Sequence, residues 1–210
     1  MAELTTTSYT ILGWLAVQPW STYELAQQIR LNLRFFWPRA ESQLYEEPRR
    51  LAKLGLVAAE QTFVGKRPRT IYTITPAGRE ALAAWIGESS GPPQLWFDGL
   101  VRIFFGNFGT PEALVGALAS ASERADEIQS AGTVVARQYL NDEAPFPQRI
   151  HMSGIVFDFL WNFAELLRDW AERTGEEIER WDDTDPSGKE ERAKEIFRRA
   201  LAGKQPPTPQ

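Results

Sequence analysis

Apolar positions in the first ninety residues change period twice, from helical spacing to strand-like alternation and back. Thr7 is placed to cap a first helix running through Ile11, Leu12 and Leu15 to about Val17, where Pro19 stops it. Ser21 and Glu24 have capping-box spacing ahead of a second helix with Leu25 and Ile29 on one face. FFWPRAESQLYEEPRRLAKLGLV predicts a third helix, with Pro38 in its first turn and Leu44, Leu51 and Leu54 as its inward stripe. Gly55-Leu56 reads as a Schellman-type stop. Pro48 interrupts this pattern, because an interior proline forfeits a backbone hydrogen bond; a bend there or a later helix start is expected. LVAAEQTFV, the turn GKRP and RTIYTIT predict a hairpin, and Thr75-Pro76 opens a fourth helix through Leu82 and Trp85.

GESSGPPQ marks a linker, and everything beyond it has helical spacing. After the short apolar run LWFDGLVRIFF, Thr110-Pro111-Glu112 opens a long helix. Its Leu114, Leu118, Ala121, Ala125, Ile128, Gly132, Val135 and Tyr139 alternate steps of four and three, a heptad seam whose small residues admit a close helix partner. The last long helix spans about Arg149 to Trp181 and carries Val156, Phe159, Phe163, Leu167 and Trp170 as a stripe. The seam from Leu114 to Val135, with Phe159 and Phe163, is the expected dimerisation contact, in a bundle of the long helices of two subunits. The alternative is that the seam packs only against the last long helix of its own chain. Ala193, Ile196, Phe197, Ala200 and Leu201 predict a final short amphipathic helix. The expected fold is mainly α with a small β hairpin. A winged helix-turn-helix occupies residues 1–88, an all-α dimerisation domain residues 89–203, and a disordered tail residues 204–210.

Charge sharpens this division. The 210-residue chain has net charge −5, yet residues 1–90 carry 10 Lys and Arg against 8 Asp and Glu, while residues 91–210 carry 13 against 20. Contact with a polyanion is therefore expected to be local to the first part. Cysteine is absent, which excludes disulfides and thiolate chemistry. The chain opens without a basic stretch ahead of an apolar one, and no apolar run is long enough to cross a bilayer. No membrane partner and a cytoplasmic location are expected.

Three helices followed by a hairpin, with cations on the third helix and at the turn, suit a double-stranded DNA partner. A helix fits the major groove and a wing lies along the neighbouring backbone. Turning Leu44, Leu51 and Leu54 inward leaves Ser42, Gln43, Glu46, Arg49, Arg50 and Lys53 outward. Of these, Gln43 suits adenine, Arg49 guanine and Lys53 phosphate. Arg39, next to Pro38 at the start of the helix, and Lys66, Arg67 and Arg69 at the wing complete the cationic set.

The order ILGWLAVQPWSTYELAQQI, FWPRAESQLYEEPRRLAKLGLV, GKRPRTIYTITPAGREALAAWI resembles the PadR family of transcriptional regulators over about Ile11–Ile86. Its carriers are Tyr23-Glu24-Leu25, Gln43-Leu44-Tyr45, Gly55-Leu56-Val57, Arg67-Pro68 before Tyr72, and Thr75 to Gly78. The resemblance implies a homodimeric winged-helix repressor, often relieved by a small aromatic or lipophilic effector, and the two-fold symmetry of a dimer implies an inverted-repeat operator. The resemblance also places Tyr23, Tyr45 and the wing cations near DNA. Ser21-Thr22 stand where the family often has His-Gly, and Glu46 follows Tyr45 where it often has Pro.

Trp96, Phe104, Phe157 and Trp161 are candidate effector-pocket residues, since flat aromatic walls suit a flat ligand; the alternative is that they pack the core. An enzyme would have to use His151, the only histidine, with Ser153 and Asp158. On a helix Ser153 points away from His151, so no catalytic residue, metal or cofactor is expected. The other reading of the chain is an adaptor or small-molecule-binding protein whose winged helix contacts protein.

Overall fold

The computed structural model describes residues 3–37, 41–65 and 67–202, with backbone alone for Glu41, Ser42, Gln43, Val64 and Arg67. Pro38, Arg39, Lys66 and the tail 204–210 lie outside the described residues. The chain forms two compact units, Met1–Gln94 and Leu95–Gln210, divided at the end of the GESSGPPQ stretch.

The first unit begins with α1 (Thr6–Val17), β1 (Trp20–Ser21), α2 (Thr22–Leu33) and α3 (Glu41–Lys53). It closes with β2 (Val57–Val64), β3 (Arg67–Ile74) and α4 (Pro76–Ile86). Thr5, not Thr7, caps α1. The Thr5 side chain accepts from the Ser8 backbone while Ser8 bonds back, and Thr7 is buried within the helix. Ser21 and Glu24 form the expected box on α2, burying Leu25 and Ile29. Ile11, Leu12, Leu15, Leu25 and Leu51 are fully buried at the centre.

Helix α3 continues through Pro48 rather than starting after it. Pro48 is fully buried, so the inward stripe is Leu44, Pro48 and Leu51, one residue per turn. Leu54, expected inward, lies past the helix end and is 41% exposed. A Schellman stop explains its position. Leu56 N–H donates to Leu51 O and Gly55 N–H to Ala52 O, each at 3.0 Å, with Gly55 at φ +73°.

The sheet order is β1-β3-β2, antiparallel throughout. Arg67 and Pro68 belong to β3 rather than to the turn, with Val64 opposite Arg67 and Phe63 opposite Pro68. Pro68 is tolerated because β1 is two residues long and pairs only with Ile71 and Tyr72, leaving β3 an edge at Pro68. Thr75 caps α4. Its Oγ1 accepts from Gly78 N at 3.1 Å and donates to Gly55 O at 2.8 Å.

The second unit comprises α5 (Asp98–Phe104), α6 (Pro111–Leu140), α7 (Ile150–Ile178) and α8 (Glu190–Leu201), with 3₁₀ turns at Gly106–Phe108 and Pro147–Arg149. Helix α6 packs along α7 of the same chain. Leu114, Leu118 and Ala121 of α6 form a core with Ala171 and Ile178 of α7. The buried residues of α7 are therefore Ala164, Ala171 and Ile178, seven apart, while Val156 and Phe159 of the expected stripe are exposed. No described helix is long and apolar enough to cross a membrane.

Candidate nucleic-acid interface

Tyr45, Arg49 and Lys53 follow one another at intervals of four on α3, all exposed, on the face away from Leu44, Pro48 and Leu51. Tyr23 stands on the first turn of α2 with 65% of its surface exposed. These four sequence-predicted residues are free to meet a ligand. Ser42, Gln43 and Arg67 lie on α3 and β3, where only the backbone is described. Arg39 and Lys66 fall outside the described residues.

Two cations expected to face outward turn inward instead. Arg50 donates from Nε to Glu47 Oε2 at 2.9 Å and from Nη2 to Glu47 Oε1 at 2.8 Å. Its Nη2 also reaches Ser8 Oγ at 3.1 Å, and Ser8 donates to Glu47 Oε1 at 2.6 Å. Burial pushes the Glu47 carboxyl up, but the hydrogen bonds from Arg50 and Ser8 outweigh it and hold the group below the usual carboxylate range. This network docks α3 on the first turn of α1 and so aims the Tyr45–Lys53 stripe. Arg69 likewise pairs with Glu24 rather than standing free at the wing. The Arg69–Glu24 pair joins β3 to α2 and the Ser8 contact joins α1 to α3, so neither is legible in sequence, whereas Glu47 and Arg50 are neighbours three apart on α3.

The dimerisation candidates divide. Leu114, Leu118, Ala121, Ala125 and Ile128 are buried within the single chain, where α7 covers the seam. Gly132 is half-buried, and an added Cβ would stand 3.2 Å from Phe157 Cε2 and 3.3 Å from Trp161 Cε3. Val135, Phe159 and Phe163 remain accessible, Phe159 at 63%. The structure thus fills the first five seam positions with this chain's own helix.

The four candidate effector-pocket residues are not brought together. Phe157 and Trp161 stack on each other, centroids 5.5 Å apart, over Gly132. Trp96 and Phe104 are 90% and 80% exposed. An open cavity of about 670 Å³ lies elsewhere in the second unit, between the end of α7 and the start of α8, and none of the four lines it. Trp181, Arg173, Arg180 and Lys189 are among its walls. Ser153 bonds to Tyr139 OH at 2.8 Å, which occupies the hydroxyl that a nucleophile reading would have needed.

Residues 11–84 match the family model of the transcriptional regulator PadR-like family. The chain carries a PadR-like domain. The negative transcriptional regulator PadR of Bacillus subtilis is 32% identical over 87 residues, 41% of this chain and 48% of that protein. The chain spans about half the length of the curated relatives it matches. A PadR-like transcriptional regulator from Bacillus cereus superposes with a TM-score of 0.70 at 20% identity, covering 83% of this chain and 98% of that one. B. subtilis PadR in complex with operator DNA gives 0.70 at 18% identity, covering 83% and 99%. The same regulator with p-coumaric acid gives 0.65 at 18% identity, covering 85% and 100%. These structures share the fold, winged helix and helical C-terminal region together. The PadR-like domain contains α3, the hairpin and nearly all of α4, so the exposed stripe on α3 lies wholly inside the family match. Both curated relatives are described as transcriptional regulators, the second as a probable one.

Proposed function

We propose that this chain is a dimeric DNA-binding repressor that reads an inverted-repeat operator and is released by a small aromatic effector. The observation that carries the reading is the exposed Tyr45, Arg49, Lys53 stripe on the outer face of α3, with the hairpin immediately after it. A helix fits the major groove, where an Arg on its outer face recognises guanine and a Lys meets phosphate. The operator complex and the negative-regulator name of the B. subtilis relative support the DNA and repressor parts. Its p-coumaric acid complex supports an aromatic effector.

Dimerisation is supported by an uncovered face on α7. Met152, Val156, Phe159, Phe163 and Leu166 follow at steps of four and three, and all but half-buried Phe163 are exposed. A heptad stripe of this kind is stable when a second helix covers it.

The test is binding to duplex DNA from the region upstream of the chain's own gene, followed as salt rises. Cationic phosphate contacts make affinity fall steeply with salt. Arg49→Ala and Lys53→Ala should each weaken binding, and the Lys53 change should shallow the slope by about one unit. Salt-insensitive binding, or none, would favour the protein-contacting adaptor instead.

A further inference from the structure

Arg69 looks in sequence like a third wing cation, yet the fold withdraws it. Its guanidinium pairs with Glu24, and its Nε is buried without a hydrogen-bond partner, so protein encloses the root of the group. Glu24 is held from the other side as well. Its Oε2 accepts from Ser21 N and from Ser21 Oγ, both at 2.9 Å. Ser21 in turn pairs with Ile71, two residues along β3 from Arg69. A closed ring results, running from β3 through Ser21 and Glu24 and back to β3 through Arg69. Burial raises the Glu24 carboxyl, but the Arg69 and Ser21 hydrogen bonds outweigh it and keep the group below its ordinary range.

We propose that Arg69 is a positioning residue and not a phosphate ligand: its ion pair with Glu24 fixes the wing against the first turn of α2, where Tyr23 is exposed. This rests on the DNA-binding reading above. The alternative is that Arg69 leaves Glu24 when DNA arrives. The geometry disfavours it, because departure would strand a half-buried carboxylate and require the enclosed Nε to be pulled out. A planar guanidinium also holds a carboxylate at a defined angle, which the point charge of a lysine does not.

The experiment uses the full chain and a labelled random-sequence duplex, titrated between about 50 and 200 mM salt. The variants are Glu24→Gln, Arg69→Met, Arg69→Lys and the double Glu24→Gln/Arg69→Met. Each single change should weaken binding about threefold to tenfold with the salt slope unchanged, and the double should be no weaker than either single. Arg69→Lys should fail to restore binding. A slope reduced by about 0.9 in Arg69→Met, with near wild-type binding by Arg69→Lys and by Glu24→Gln, would make Arg69 a phosphate ligand and overturn the proposal. Hydrogen exchange reads the wing without DNA. Glu24→Gln should speed exchange at the amides of Arg69 to Tyr72, and unchanged exchange overturns the positioning role. A wild-type chain with no salt-dependent duplex binding sinks the DNA reading, while the exchange result still decides whether the pair fixes the wing.

Discussion

Tyr9 and Trp85 stack face to face, ring centroids 4.8 Å apart and planes 5° from parallel. The contact joins the first helix to the fourth, at opposite ends of the N-terminal unit in sequence. Both rings are half-buried, so the pair adds to area burial without being sealed in the core. Trp85→Ala should destabilise that unit by about 1–3 kcal/mol, less than for a fully buried tryptophan. Urea unfolding of the whole chain should show the loss in the transition assigned to the N-terminal unit, with the other transition unmoved.

Glu47 should make stability depend on acid. Its carboxyl titrates lower in the fold than in the unfolded chain, where about 4.3 is ordinary. The group therefore contributes stability fully above the unfolded value, and that contribution disappears as pH falls through the folded one. Glu47→Gln should cost about 1.5–3 kcal/mol at neutral pH and much less in strong acid. Denaturant midpoints measured from about pH 7 down to 3 check this; parallel curves for the two proteins would contradict it.

Two glycines should respond oppositely to alanine. At Gly78 a Cβ would stand 2.1 Å from Leu56 O, a clash with backbone that cannot swing away. Gly78→Ala should cost at least about 1–3 kcal/mol and separate α4 from the end of α3. Gly116, inside α6, has nothing within 4 Å of such an atom. Gly116→Ala should stabilise by about 0.4–1 kcal/mol, because alanine costs less backbone entropy in a helix. Thermal melts of both variants decide the signs.

Charge placed on α7 and on α6 should separate assembly from folding. Phe159→Glu falls on the exposed stripe and should give a folded monomer by sedimentation, with weakened operator binding. Ala125 is fully buried against its own chain, so Ala125→Glu should cost about 3–5 kcal/mol and unfold the second unit. A monomeric, well-folded Ala125→Glu protein would return the interface to the α6 seam.

The local signals read true in sequence because each is complete within a few residues. The Ser21–Glu24 box, the Gly55 stop and the Thr75-Pro76 helix start are of this kind. The same holds for Arg49 and Lys53, whose exposure follows from spacing, while Tyr45 is picked out by the family resemblance. What sequence hides is long-range competition for a side chain. Arg69 sits beside the wing turn, but Glu24 of α2 reaches it first, and Ser8 of α1 locks the local Glu47–Arg50 pair against the body of the unit. Pro48 misleads for a different reason. Helix propensity argues against it, and burial at the centre of the stripe overrides propensity. The α6 seam was legible as a seam, while its partner was not, since a heptad pattern is equally satisfied by a helix of the same chain. Strand β1 escapes altogether, being two residues long.

Thr75 touches both ends of the wing's excursion. Its hydroxyl donates to Gly55 O, and its backbone N–H donates to Leu56 O at 3.1 Å. The chain thus leaves and re-enters the body through one clasp, and only the hairpin beyond the Arg69–Glu24 tie projects as a handle. Evolution can lengthen or trim that handle without disturbing either helix. Each cross-strand residue pair added at the tip would extend the hairpin by about 3.3 Å. On the proposed DNA-binding reading, wing length and recognition-helix chemistry can therefore drift separately, changing how far a site is gripped without changing what is read there.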